Sequence, residues 1–192
     1  MTKSSIHATN TLHISKDDHV VGPDGAFITV VAYCDFECPY CGRAYPIIKR
    51  LRSRFQDRLR FVFRHFPLVH KHPRAQQAAE AAEAADAQGR FWAMHDLLFE
   101  HQEDLEEKDL FAYAETLGLD AERFGRDIAD RRFAMRVSRD VESGRRNGVA
   151  GTPTFFLNGS RHTDEETLEE VMLRIMERRV STNKEDKPWQ PK

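Results

Sequence analysis

The stretch Ile28-Thr29-Val30-Val31-Ala32-Tyr33-Cys34-Asp35-Phe36-Glu37-Cys38-Pro39-Tyr40-Cys41 decides how the rest of the chain is read. Its first seven residues are a nearly continuous apolar and β-branched run, the pattern of a strand buried on both faces. Beyond the cysteines, Ala44, Ile47, Ile48 and Leu51 recur at helical spacing up to about Phe55. A central strand therefore runs into a helix that begins at the cysteines. Pro39 falls in the first turn, where its missing N–H would have had no partner. Pro46, deeper inside, is expected to kink the helix.

This position gives the cysteines a chemistry. Unpaired N–H groups and the helix dipole at an N-terminus stabilise an anion, so the Cys38 thiol is expected below its free pKa of about 8.5 and acts as the nucleophile. Cys41, one turn further along the same face, is placed to attack a mixed disulfide and release the product. Zinc sites use the same Cys-x-x-Cys spacing but usually need a second ligand pair. No cysteine lies outside residues 34–41. Cys34 extends the pattern to a spacing that resembles radical-SAM cluster proteins, which need more strands than this chain offers and a glycine-rich segment it lacks. Two readings of Cys34 remain: a small buried apolar residue at the end of a strand, or a third redox-active thiol. Three cysteines so close together cannot staple distant parts of a secreted fold.

Outward from this segment, Arg58 to His65 alternates, with Leu59, Phe61 and Phe63 on one face and Arg60, Val62 and Arg64 on the other, which suits an edge strand. Strand, helix and strand at this spacing form a right-handed unit with parallel strands. From Pro73 to about Asn147 every segment reads as helix: Ala75–Gln88, Phe91–Phe99, Leu110–Leu117 capped by Asp109, Ala121–Asp130, and a last helix carrying Phe133, Val137 and Val141. Gly151-Thr152-Pro153 then leads into a strand at Thr154–Leu157. Asn158-Gly159 signals a hairpin to a short strand near Ser160–His162. Thr163 or Asp164 caps a closing helix striped by Leu168, Val171, Met172, Ile175 and Met176. Proline cannot donate to a sheet ladder, so Pro153 at a strand start has a positional role. A cis Thr152-Pro153 bond, against the far commoner trans form, would turn backbone polar groups toward Cys38 to pair with an extended peptide. His65, His70 and His72 read as solvated loop histidines, Phe91 and Trp92 as core, and Arg145-Arg146 as a solvated helix end.

The chain has 192 residues, 40% hydrophobic, with 29 Lys+Arg against 31 Asp+Glu and a net charge of −2. That suffices for one core with a sizeable insertion, and supplies no global field for nucleic acid or an anionic membrane. No apolar run approaches the roughly eighteen residues of a membrane span. The first residues show no apolar block like that of a secretory signal. This points to the cytoplasm, or to the periplasm if a leader has been removed.

Val30–Tyr45, Phe63-Arg64-His65-Phe66-Pro67, the helical insertion and Gly151–Phe156 together resemble DsbA-like thiol–disulfide oxidoreductases of the thioredoxin superfamily, over roughly Asp18 to Met176. The resemblance implies an α/β thioredoxin fold with an inserted all-helical domain. Residues 18–70 and 148–180 would form the thioredoxin-like parts, residues 71–147 the insertion, and residues 1–17 and 181–192 the tails, of which the charged, Pro-containing stretch from Ser181 is expected to be loosely ordered. It makes Cys38 the attacking and Cys41 the resolving cysteine, Pro39 and Tyr40 the dipeptide that tunes the potential, and Thr152-Pro153 the loop that contacts substrate. Pro46 matches the kinking proline of thioredoxins. The implied partners are protein or peptide thiols and disulfides, with glutathione or another thiol as reductant; no metal and no cofactor beyond the cysteine pair is implied. Two departures matter. Tyr40 stands where periplasmic DsbA proteins typically carry a thiolate-stabilising His, which implies a weaker oxidant. Ala32 stands where thioredoxins bury an Asp, so a proton acceptor for Cys41 must be Glu37 or water. The competing readings are a metal or iron–sulfur protein using Cys34, Cys38 and Cys41, and a redox-inert domain that holds peptides beside Pro153.

Overall fold

A computed structural model describes residues 12–163 and 167–185. The decisive run forms strand β2 (Ile28–Cys34) in the middle of a five-stranded sheet of order β1-β3-β2-β4-β5. Strand β3 (Leu59–His65) lies parallel to it, with Ile28 opposite Leu59 and Cys34 opposite His65. Strand β4 (Thr154–Leu157) runs antiparallel on the other side and turns through Asn158 and Gly159, both at positive φ, into β5 (Ser160–Arg161).

Strand β3 is not at the edge. Strand β1 (His19–Val21) pairs antiparallel with it, His19 opposite Phe63. Three residues are too few to show an alternation, so the sequence hides this strand. The alternation within β3 still sorts its faces, because successive side chains point to opposite sides of a sheet. Phe61 and Phe63 join Val30, Ala32 and Cys34 in the larger core. Val62 joins Val31, Tyr33, Phe66 and Phe156 in a second cluster on the opposite face. Apolar matter on both sides is what makes β2 a continuous apolar run rather than an alternating one.

Helix α1 (Pro39–Phe55) continues through Pro46 and buries Ile48, Leu51 and Phe55 against the larger core. The insertion supplies α2 (Ala75–Asp86), α3 (Phe91–Glu100), α4 (Glu107–Thr116), α5 (Ala121–Ala129) and α6 (Ala134–Arg146). Helix α4 starts earlier than expected. Glu106 is its cap, and Asp109 is the reciprocal partner, its carboxylate accepting from the Glu106 N–H at 3.0 Å. Helix α7 (Leu168–Glu185) buries Leu168 and Met172 and runs past Ser181, where a loose tail was expected. Trp189, residues 1–11 and Asp164 lie outside the described residues. No helix among the described residues is long and apolar enough to cross a membrane.

Polar ties bind the insertion to the sheet. His65 is not solvated: it is 1% exposed, and its Nε2 donates to Glu83 Oε1 of α2 at 2.9 Å. His19 Nε2 donates to the same oxygen at 2.7 Å. Burial alone would raise the Glu83 carboxyl, but these two hydrogen bonds overcome it and hold the group well below its ordinary value. On the opposite face Arg64, 4% exposed, grips Asp18 through Nε at 2.6 Å and Nη2 at 2.9 Å, and donates to the Tyr33 hydroxyl at 2.8 Å. Such pairing is what makes a buried guanidinium tolerable.

A group held below its ordinary pKa contributes stability that is complete above the unfolded-state value and is lost as the pH falls toward the folded-state value. Glu83→Gln should therefore be less stable than wild type by about 1–3 kcal/mol at neutral pH. The difference should shrink as the pH drops below about 4.5, the ordinary carboxyl value. Urea midpoints measured across that range check this; a difference independent of pH would remove the charge from the account.

Candidate active site

The loop between β2 and α1 is shaped by Asp35, whose buried carboxylate accepts from the N–H of Glu37 at 2.8 Å, the N–H of Leu68 at 2.8 Å and His72 Nδ1 at 2.7 Å. Its own carbonyl accepts from the Cys38 N–H at 3.2 Å. Cys38 is the N-cap residue of α1, in extended conformation, with Pro39 in the first turn. The cysteines thus stand at a helix N-terminus. His72, like His65, proves to be structural: it holds the active-site loop, whereas His70 is exposed.

The insertion reaches this loop through Gln102, whose amide donates to the Phe36 carbonyl at 2.7 Å and the Cys38 carbonyl at 2.8 Å. Gly42 leaves room for it, since a Cβ there would lie 2.1 Å from Gln102 Oε1. No periodicity marks Gln102; a lone polar residue after a helix carries no signal of what it will touch. Glu37, one expected proton acceptor for Cys41, is taken up instead by Arg74, which donates from its N–H at 2.6 Å and from Nη1 at 3.2 Å.

Across from the cysteines the Thr152–Pro153 peptide is cis, and Cys38 Sγ donates to the Thr152 carbonyl at 3.3 Å. Beside them opens a groove of about 650 Å³, with Tyr40, Ala44 and Ile47 of α1 on one wall and Pro153, Phe155 and Leu168 on the other. Arg50 and Glu169 put opposite charges at its rim. Tyr40 is 63% exposed, with the Arg43 guanidinium 4.4 Å above its ring. Of the residues singled out in the sequence, Tyr40, Thr152 and Pro153 line this groove, while Cys38, next to the exposed Pro39, is buried against the Thr152 carbonyl and Cys41 is buried as well.

All three cysteines are free and buried. Their titration departs from the expectation of a depressed Cys38. Its thiol is pushed up, first by the hydrogen bond to the Cys41 side chain and then by burial, while contacts to Thr152 and the backbone pull the other way. Cys41 is also pushed well up, chiefly by burial and then by a hydrogen bond to Cys34. In the closed dithiol the contact between the sulfurs and the loss of water set this direction.

Among the described residues the three cysteines do not converge as metal ligands; the group that does is His19, His65 and Glu83, with ligand atoms within 4.8 Å of one another. There the two histidines already donate to the carboxylate, and Arg136 stands 3.7 Å from the same oxygen, a positive neighbour that opposes a cation.

The thioredoxin family model matches residues 14–177. Among solved structures, a thioredoxin-like oxidoreductase from Silicibacter pomeroyi DSS-3 is 25% identical, covers 87% of this chain and 94% of its own, and has a TM-score of 0.74. BdbD from Bacillus subtilis, in its oxidised form, is also 25% identical, with 84% and 92% covered and a TM-score of 0.74. The α-DsbA1 of Wolbachia pipientis, at 19% identity and a TM-score of 0.71 over 85% and 92% of the two chains, shares the fold. A protein named Na(+)/H(+) antiporter NhaA 3 from Salinispora tropica is 52% identical over 159 residues, which are 83% of this chain and 24% of that protein. The chain spans about a quarter of the length of the curated relatives it matches. Fold, paired cysteines and proline loop therefore lead to one assignment: the chain belongs to the thioredoxin family, with a helical insertion in its fold.

Proposed function

We propose that this thioredoxin-family segment exchanges disulfides with protein or peptide substrates through Cys38 and Cys41. The observation that carries the reading is the seating of Cys38 Sγ 3.3 Å from the carbonyl of Thr152, a residue that lines the groove together with Tyr40 and Pro153. An extended peptide laid beside Pro153 would find backbone groups to pair with and apolar walls for its side chains. Cys38 attacks a substrate disulfide, or receives a substrate thiolate when it is paired with Cys41; Cys41 then closes or opens the internal disulfide. No organic cofactor enters the cycle, and a small thiol such as glutathione is the simplest source of reducing equivalents.

The dipeptide bears on direction. Strong oxidants of this kind owe their potential to a stabilised reduced form. Here Tyr40 replaces the histidine that the family resemblance led one to look for, and with it a stabiliser of the thiolate. The pair therefore belongs toward the reducing side. In a glutathione-buffered compartment it works as a net reductant of substrates, and in an oxidising compartment its direction follows the local thiol pool.

The two roles separate by mutation. Cys38→Ser should lower disulfide exchange with a model peptide to the background rate, whereas Cys41→Ser should accumulate mixed disulfides on Cys38, read as the mass of the adduct; the opposite pattern exchanges the roles.

A further inference from the structure

Cys34 is left without a role by the two-cysteine cycle. It ends β2 on the face of the larger core, and it lines with Cys41 a small cavity of about 20 Å³ among Tyr45, Ile48, Phe63 and Phe99. A space of that size holds about one water molecule. Cys34 and Cys41 thus face the same small space, while Cys41 stands one helical turn from Cys38 at the start of α1. Among the described residues the three sulfurs do not gather as one compact triad, so Cys41 has a cysteine on either side of it.

We infer that Cys34 is a third redox-active thiol that competes with Cys38 for Cys41. This rests on the reading of Cys38 and Cys41 as a working disulfide pair. In the oxidised protein the Cys34 thiolate attacks Sγ of Cys41, the Cys34–Cys41 bond forms as the Cys38–Cys41 bond breaks, and Cys38 leaves as a thiolate that takes up the proton Cys34 released. Two electrons stay in the protein throughout, so the step is an isomerisation and needs no external oxidant or reductant. Its product is an oxidised protein in which Cys38 is a free thiol beside the Thr152 carbonyl. That form can attack a substrate disulfide while Cys41 is occupied elsewhere, which prolongs the mixed disulfide and gives the substrate time to rearrange.

The test is differential labelling of wild-type protein equilibrated with oxidised glutathione, quenched in acid, unfolded and labelled with maleimide, then reduced and labelled with iodoacetamide. No lysine or arginine falls between Asp17 and Gly42, so one tryptic peptide carries all three cysteines and fragmentation locates each label. Maleimide shared between Cys34 and Cys38 is the expected result; maleimide confined to Cys34 overturns the inference. The variant Cys38→Ser, with native folding checked by circular dichroism, should lose two hydrogens in mass under the same oxidation as Cys34 and Cys41 join. Two persisting thiols in the folded variant likewise overturn the inference, and should the variant fail to fold, the wild-type labelling decides. Wild type that keeps all three thiols free withdraws the proposed function itself, and with it the exchange that starts from its disulfide; wild type that forms only Cys38–Cys41 leaves that function standing and sinks Cys34 alone.

Discussion

The arrangement of the site depends on one buried carboxylate. Asp35 carries a charge that would be costly to bury unless its oxygens were occupied. They are occupied by two backbone N–H groups and an imidazole, drawn from the active-site loop and from the segment that leaves β3. Satisfying Asp35 thus fixes where the loop after β2 goes, and with it where helix α1 begins. The position of the cysteines at that helix start follows from a requirement for hydrogen bonds rather than from the cysteines themselves.

From that anchor the site divides into a wet and a dry side. Tyr40, Ile47 and Pro153 face the groove, while Cys41 faces aromatic rings packed between the sheet and α3. Taking water away from the sulfurs raises the cost of charge on either of them. The field of the helix, which in isolation would favour an anion at Cys38, acts here on a thiol already engaged with its neighbour. The balance between these influences, and not the Cys-x-x-Cys motif by itself, sets the chemistry of the pair.

How much of this could be read from the residues follows from the range over which each cause acts. Strand β2, helix α1, the helices of the insertion and the hairpin at Asn158-Gly159 are written in local periodicity and turn chemistry, and they stand where those patterns put them save for α4, which begins a turn earlier. The grouping of Cys38, Tyr40, Thr152 and Pro153 was legible because the family resemblance joined segments more than a hundred residues apart. Strand β1 was illegible because three residues show no period. Asp35, His72 and Gln102 were illegible because their partners lie on other elements, and a polar side chain announces nothing about a distant carbonyl. His65 was misread for the same reason: its partner Glu83 sits on a helix whose polar positions all look alike in sequence. The direction of the Cys38 titration was misjudged because a helix start is visible in sequence and the burial of a sulfur is not.

Gln102 has a consequence for how this fold can change. By reaching from the insertion to the carbonyls of Phe36 and Cys38, it makes the helical segment part of the redox centre's scaffold rather than a detachable cassette. An exchange of that segment for one from a relative would have to bring its own donor for those two carbonyls, and would have to keep position 42 free of a side chain. Drift in the insertion is therefore tethered, at this one contact, to the residues that carry out the chemistry.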